Sequence, residues 1–410
     1  MRSKKLELLP EPLTALSEIK LRSARLEDAR RIQMLYAEVY GQHYTIPIVY
    51  DRGLMCRAID GDSHFWLVGE HKGRIIASLV YSVDRRTRIG KALGAVVSKQ
   101  YRKNNLANMM MKIILDKITR EHDLVDVVYA TTRTVTTAPQ QMTDAMGFVP
   151  LGIFPNAHKI FDYETHCLAA YYVKKRWELR KKPALLLPEI KPFYDMVSGG
   201  LKKCGLDLGK PKLAGPGSKA LSDMAREPQQ QPLLDMELVN APVFVQNRMR
   251  TLGNSGVFAN AFVPFHEPNL MLISNDQKNE IYVHCAEKDR YSVIVGGRAE
   301  SADLALLLKS AVRTLNDKVG VSYVELMVDA YSPRLQRHAL NALFLPSAYF
   351  PGLTLIDGKR QDHIVFSRSF DMLDFRNVNI MPTYRKFLRV YLDMWRELYI
   401  DSAFRTKTIK

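Results

Sequence analysis

Cysteine is scarce in this 410-residue chain: there are four, Cys56, Cys167, Cys204 and Cys285, and no two form a CxxC pair. That spacing argues against a disulfide framework or a zinc knuckle and predicts reduced thiols. The ten histidines show no HxxxH or HExxH spacing, so no metal site is expected. Long apolar runs are missing as well. Lys4 and Lys5 are followed by Glu7, Pro10, Glu11 and Pro12, which leaves no h-region for a signal peptide. No run approaches the ~20 apolar residues of a membrane span. These absences predict a cytoplasmic protein with no transmembrane segment. What is present is an ordinary globular composition, 47% hydrophobic and 25% charged, with length enough for two domains or more.

Charge is unevenly placed. Twelve Lys/Arg against four Asp/Glu lie between Tyr172 and Ala220, half of the net +16 of the whole chain. Such a stretch suits CoA phosphates, an acidic carrier protein, nucleic acid or anionic lipid, and equally a solvated linker with no partner. For nucleic acid it offers few stacking aromatics beyond Tyr172, Trp177, Phe193 and Tyr194, so that partner ranks last.

Periodicity sets the element order. Ile19–Ala24 has strand character, and Leu26–Tyr40 places Ile32, Leu35, Tyr36 and Val39 on one helical face. Strands follow at Phe65–Glu70, Ile75–Ser82 and Ala92–Val97, the first two joined by a turn at His71-Lys72-Gly73-Arg74. A helix with Leu106, Met109, Met110, Ile113 and Ile114 on one face precedes a strand at Val125–Thr131 and a short helix at Pro139–Met146. Strands near Leu151–Phe154 and Leu168–Val173 close this half. The fold class expected is mixed α/β, a largely antiparallel sheet flanked by helices.

The texture then changes. Leu185–Leu206 has room for one helix, and Gly209–Pro232 reads as a Gly/Pro/Ser/Lys/Gln-rich linker. Strands resume at Leu270–Ser274, Glu280–Ala286 and Tyr291–Val295. A helix through Leu304–Leu315, a strand at Tyr323–Val328 and a helix opened by Ser332-Pro333 come next. Phe148-Val149-Pro150 followed by Phe154-Pro155 is matched in offset by Phe344-Leu345-Pro346 followed by Phe350-Pro351. The match predicts duplication. The expected domains are 19–180, a basic linker with one helix at 181–240, a degenerate copy at 241–370, and an amphipathic helix and tail at 371–410. In that last helix Tyr384, Phe387, Leu388, Tyr391, Trp395 and Leu398 share a face, and packing on its own domain is preferred over a membrane contact.

The segment from Val97 to Asn108 carries the chemistry. A strand ends in a polar turn that becomes a helix start, where backbone N–H groups lack partners and the dipole is positive. A pyrophosphate satisfies both. Asn104 and Asn105 tolerate left-handed backbone, Ala107 permits close approach, and Arg102 and Lys103 add charge. A plain basic loop would read the same way.

Arg102-Lys103-Asn104-Asn105-Leu106-Ala107 resembles motif A of the GNAT acetyltransferase superfamily, and Ala145-Met146-Gly147-Phe148 resembles the end of its motif B. Arg22-Ser23-Ala24 with Asp28-Ala29 is similar to its opening strand and helix. The resemblance implies that Val97 and Ser98 receive pantetheine. It also implies that the amides from Arg102 through Lys103, Asn104, Asn105, Leu106 and Ala107 to Asn108 hold the pyrophosphate of acetyl-CoA or a longer acyl-CoA. There are departures. Asn105 stands where glycine is preferred, Thr143 where a tyrosine often protonates the thiolate, and Lys91–Val97 holds no acidic base. The catalytic residues are therefore not identified; the substitutes are His43, Tyr44, Asp51, Arg133 and Thr143. The second half resembles the family more faintly, with Val295-Gly296-Gly297-Arg298-Ala299-Glu300-Ser301 at the phosphate-loop position and Leu343 in place of a glycine. It would shape the substrate cleft or a homodimer surface. The implied activity is acyl transfer from acyl-CoA to an amine. N-acyl amino acid synthases, which are GNAT-like, take the acyl group from a carrier protein. The alternative is a non-catalytic acyl-CoA sensor or scaffold.

Overall fold

The computed structural model describes residues 13–15, 18–41, 44, 46–102, 104–159, 162–215, 217–218, 221, 231–252 and 266–405. His43 and Lys103 lie outside the described residues, as does half of the Gly209–Pro232 stretch. The chain divides into two compact units: residues 1–132, 137–149 and 169–177 form the first, and 133–136, 150–168 and 178–410 the second.

The first unit starts with β1 (Leu13–Ala15), β2 (Ile19–Ser23), α1 (Ala29–Tyr40), α2 (Pro47–Tyr50) and α3 (Arg52–Asp60). Asp28 fixes the entry to α1: its carboxylate takes two bonds from Arg22, at 2.6 and 2.9 Å, and one from the Arg25 N–H at 2.8 Å. Next come β3 (His64–His71) and β4 (Arg74–Asp84). Their turn residues Lys72 and Gly73 both have positive φ, 47° and 75°, the geometry of a tight two-residue hairpin. β5 (Ile89–Val97), α4 (Leu106–Asp116), β6 (Val127–Arg133) and α5 (Ala138–Ala145) follow. β1 to β5 pair antiparallel in sequence order, and β6 joins β5 in parallel.

This sheet is buried on both faces because its strands are apolar at nearly every position. Phe65, Leu67, Leu79 and Tyr81 pack with Met110, Ile114 and Ile118 of the α4 side. Their neighbours Trp66, Val68 and Val80 turn to Ile32, Tyr36, Met55 and Ile59 of α1 and α3.

The second unit holds most of β7 (Val149–Lys159) and β8 (Tyr163–Tyr172), then β9 (Leu185–Leu186), α6 (Lys191–Lys203) and β10 (Lys212–Leu213). α6 is the one helix expected between Leu185 and Leu206. It buries Phe193, Tyr194, Val197 and Leu201, and Gln336 anchors the approach to it by accepting from the Leu187 N–H at 2.9 Å. The rest of the unit runs β11 (Met236–Val239), α7 (Pro242–Leu252), β12 (Leu270–Ser274), β13 (Asn279–Ala286), β14 (Tyr291–Ala299) and α8 (Leu304–Thr314). β15 (Tyr323–Asp329), α9 (Pro333–Asn341), β16 (Leu345–Ile356), β17 (Lys359–Ser369) and α10 (Pro382–Arg396) complete it. Its strands from β11 onward are ordered β11-β12-β13-β14-β15-β17-β16, with β7 beside β16, while β9 and β10 form a separate pair. α10 packs by Tyr384, Phe387 and Tyr391, as its amphipathic pattern leads one to expect of a helix seated on its own unit.

Both units are mixed α/β with largely antiparallel strands, and part of their element order is alike. In each, antiparallel strands lead to one (β5, β14) that pairs in parallel with the next (β6, β15), with a helix (α4, α8) in between and a short helix (α5, α9) after. One expectation fails. Gly296 and Gly297 are not in a loop, because β14 continues to Ala299 and both glycines sit inside the strand, paired with Tyr282 and Ile281.

Gly152 of β7 is where β7 meets β16, opposite Ala348. A Cβ there would lie 2.2 Å from both the Ala348 Cβ and the Ser347 carbonyl. Gly152→Ala is expected to cost about 1–3 kcal/mol by overpacking, read as a lower denaturant midpoint at unchanged m-value.

Candidate functional site

The end of β5 is shaped by two departures from regular pairing. Its parallel register with β6 runs from Ile89–Val127 only as far as Ala92–Ala130, after which the two strands part. On its other side the register with β4 shifts between Ser78 and Val80, so Leu79 faces two residues, Gly94 and Ala95. This is a β-bulge, and Gly94 takes the positive φ (62°) that it requires. Beyond it, the Ser98 N–H bonds the Ile76 carbonyl at 2.9 Å. Ladder bonds alternate along an antiparallel pair, so Val97 turns its N–H and C=O away from β4, to the side that β6 has left. The Ser98 amide is used within the sheet; the Val97 amide faces the gap.

α4 starts immediately after. Asn105 is its N-cap residue, left-handed at φ 56° and ψ 10°, with no side-chain cap to the backbone. Its Oδ1 instead accepts from Asn108 Nδ2 at 2.6 Å. The Met109 N–H reaches the Asn105 carbonyl, which makes the amides before it, Leu106 to Asn108, the ones that a helix start leaves unpaired. Arg102 is exposed beside them, with Nε 3.3 Å from the Val97 carbonyl. Val97, Ser98, Arg102, Asn104, Asn105, Leu106, Ala107 and Asn108 are thus brought together as a strand end, a left-handed residue and a helix N-terminus.

The catalytic substitutes are not gathered in this way. Tyr44 belongs to the first unit, stacks on Tyr40 at 4.5 Å and lies tilted against Tyr36 at 5.1 Å. Asp51 caps α3, accepting from the Leu54 N–H at 2.8 Å. Thr143 is buried, and its hydroxyl donates back to the Gln140 carbonyl at 2.9 Å. Arg133 belongs to the second unit, where it forms a two-pronged pair with Glu164, Nε to Oε2 at 2.7 Å. Burial alone would push the Glu164 carboxyl up, but His166 and Arg133 beside it hold it down to about 2. Tyr36, which sequence reasoning placed only on a helix face, donates its hydroxyl to the Gly94 carbonyl. No local signal links these two residues.

The corresponding helix start in the second unit is closed from within. The N–H groups of Glu300, Ser301 and Ala302 all point to Asn279 Oδ1, each at 3.2 Å. Asp303 caps α8 by accepting from Ala305 at 2.9 Å and Leu306 at 3.2 Å. β14 has a bulge too, since Val295 has no partner between the Val283–Ile294 and Tyr282–Gly296 pairs. Its parallel register with β15 also stops at Ile294–Leu326. The strand geometry is like that of β5, and the amides at 300–302, 305 and 306 are taken by side chains of the same unit.

Among the described residues no group of three or more His, Cys, Asp or Glu has an arrangement that could hold a metal ion. None of the described helices is long and apolar enough to cross a membrane.

Residues 26–148 match the model of the acetyltransferase (GNAT) family. No curated protein matches the chain. Among solved structures it is similar to a ribosomal-protein-S5-alanine acetyltransferase from Vibrio fischeri, at 16% identity and TM-score 0.34 over 39% of this chain and 95% of that one. A GNAT-family acetyltransferase from Streptococcus pneumoniae is similar at 18% identity and TM-score 0.34, over 38% and 100%. A spermidine N-acetyltransferase from Vibrio cholerae is similar at 14% identity and TM-score 0.34, over 38% and 95%.

Proposed function

We propose, from the match of residues 26–148 to the acetyltransferase (GNAT) family model, that the protein moves an acetyl or longer acyl group from acyl-CoA to an amine of a small molecule or protein. The observation that carries this reading is the uncapped start of α4 directly after the parted end of β5. Pyrophosphate would take the Leu106, Ala107 and Asn108 amides, with Arg102 and Lys103 adding charge. Pantetheine would lie along Val97, and the thioester would sit in the gap past Ala92 and Ala130. An amide at the bulge would stabilise the oxyanion, and catalysis would rest largely on positioning. The exposed lysines Lys202, Lys203, Lys210 and Lys212 would suit an acidic carrier protein as an alternative donor.

The second unit is proposed to be a degenerate copy that does not take CoA, because Asn279 already takes the amides of the loop before its helix and Asp303 those of Ala305 and Leu306 in the first turn. Titration calorimetry with CoA, acetyl-CoA and longer acyl-CoAs is therefore expected to give one site per chain. Two sites would overturn the assignment of a single working half, and no binding would overturn the donor. Thiol release across a panel of amines then separates a transferase from an acyl-CoA sensor. The sensor is favoured by one observation: the Thr143 hydroxyl is committed to its own helix at the position where a proton donor is wanted.

A further inference from the structure

Tyr36 is where α1 meets the bulge of β5. It is 2% exposed, and its hydroxyl donates to the Gly94 carbonyl from 58 residues away. A Cβ on Gly94 would lie 2.8 Å from that hydroxyl oxygen, so the phenol and the glycine fit only as a pair. Tyr44 packs on the Tyr36 ring at 5.1 Å, and Tyr40 stacks on Tyr44 at 4.5 Å. The hydroxyl is thus held on its target by a column of three rings. Burial also pushes the phenol pKa above its ordinary value, so the group stays a protonated donor at neutral pH.

A trans peptide is planar, and its C=O and N–H point in opposite directions. A hydroxyl that fixes the Gly94 carbonyl therefore fixes the Ala95 N–H as well. Val96 pairs with Ser78 of β4, so its neighbour Ala95 is turned the other way, to the side that β6 has left. Left without a tether, a glycine at a bulge has wide backbone freedom, and this peptide would rotate among several orientations.

We propose that Tyr36 is a positioning residue for acyl transfer: through the Gly94 carbonyl, its hydroxyl aims the Ala95 amide at the carbonyl oxygen of the bound thioester. The inference rests on the acyl-CoA reading of the same unit. In the reaction the amine nitrogen attacks the carbonyl carbon and the C–N bond forms. The oxygen becomes an oxyanion held by the Ala95 N–H. Collapse breaks the C–S bond, and the surplus proton of the amine ends on the departing sulfur. Tyr36 touches none of these atoms; it keeps their hydrogen-bond donor in place before the substrate arrives.

Tyr36→Phe keeps the ring column and deletes the hydroxyl. Two readouts separate positioning from mere structure. In turnover, kcat is expected to fall about 10- to 100-fold, up to the effect of losing one oxyanion donor, while KM for acyl-CoA and the affinity for CoA stay within about twofold. In the infrared, acetyl-CoA labelled with 13C at the thioester carbonyl should show a lowered C=O frequency when bound to the wild type, and that lowering should be lost in the variant. The second readout needs no turnover, so it serves even for a sensor. An unchanged carbonyl frequency and unchanged kcat in the variant would sink the role of Tyr36 and leave the acyl-CoA reading intact. A loss of CoA affinity in step with kcat/KM would reduce Tyr36 to a structural residue. Should the variant not fold, the wild type decides alone: a bound carbonyl with no shift from the free thioester overturns the proposal. Failure of the wild type to bind any acyl-CoA overturns both readings.

Discussion

Asp362→Ala is expected to cost the second unit about 3–5 kcal/mol, the usual penalty for removing one partner of a buried ion pair. Asp362 of β17 and Arg180 have side chains 0% and 1% exposed. Arg180 Nε meets both carboxylate oxygens, at 2.8 and 3.0 Å, and its Nη1 donates to the Leu208 carbonyl at 2.9 Å. The same carboxylate accepts from the Tyr349 hydroxyl and from the Gly352 N–H, the latter at 2.9 Å. Truncation therefore takes the carboxylate from a buried guanidinium, a phenol and a backbone amide at once, and leaves the Arg180 charge without its counterion. Urea unfolding followed by tryptophan fluorescence and far-UV circular dichroism would register the change. A loss under about 1 kcal/mol would contradict it. The paired replacement Arg180→Met with Asp362→Leu should regain most of the stability, because an apolar pair of similar size removes the desolvation cost together with the charges.

Ala107→Glu is expected to weaken CoA binding about 100-fold or more while leaving the fold intact. Ala107 is half-buried, in the first turn of α4. A carboxylate at a helix N-terminus is favourable to the helix itself, so the substitution should not lower the thermal midpoint. It would, however, place a negative charge where the pyrophosphate is proposed to sit. Two like charges about 4 Å apart near a protein surface repel by up to ~4 kcal/mol, and about 2.7 kcal/mol already equals a factor of 100. Calorimetry checks the affinity and circular dichroism the fold. Undiminished CoA binding by Ala107→Glu would remove the pyrophosphate from this helix start.

The parts of the molecule legible in the sequence are those written in local order. The apolar run Phe65-Trp66-Leu67-Val68, the glycine of the β3–β4 turn and the single apolar face of α4 all give elements within a few residues of their observed bounds. Asn105 shows the same economy, because asparagine is among the few residues that enter the left-handed region readily, and it does so here. What the sequence hides are contacts between residues far apart along the chain. Tyr36 reads as one more apolar position on α1, and its hydroxyl bond to Gly94 is 58 residues distant. Arg180 reads as one basic residue in a charged stretch, although its partner lies 182 residues on and both are buried. The glycine pair at 296–297 suggests a loop, but pairing with β13 keeps it in a strand. The loop that leads into the second helix start is closed by Asn279, whose side-chain oxygen crosses from β13 to amides 21 to 23 residues later.

That asparagine has a consequence in mass action. It is a tethered ligand, present at an effective concentration that no diffusing molecule in a cell matches. On the proposed reading the second unit would therefore carry its own occupant in this loop and draw nothing from the surrounding supply of nucleotide. The first unit, with the same helix start left open, would gain RT ln(1 + [L]/Kd) from whatever ligand fills it. Two units of partly like element order would then answer differently to the metabolic state of the cell, one buffered against it and one coupled to it.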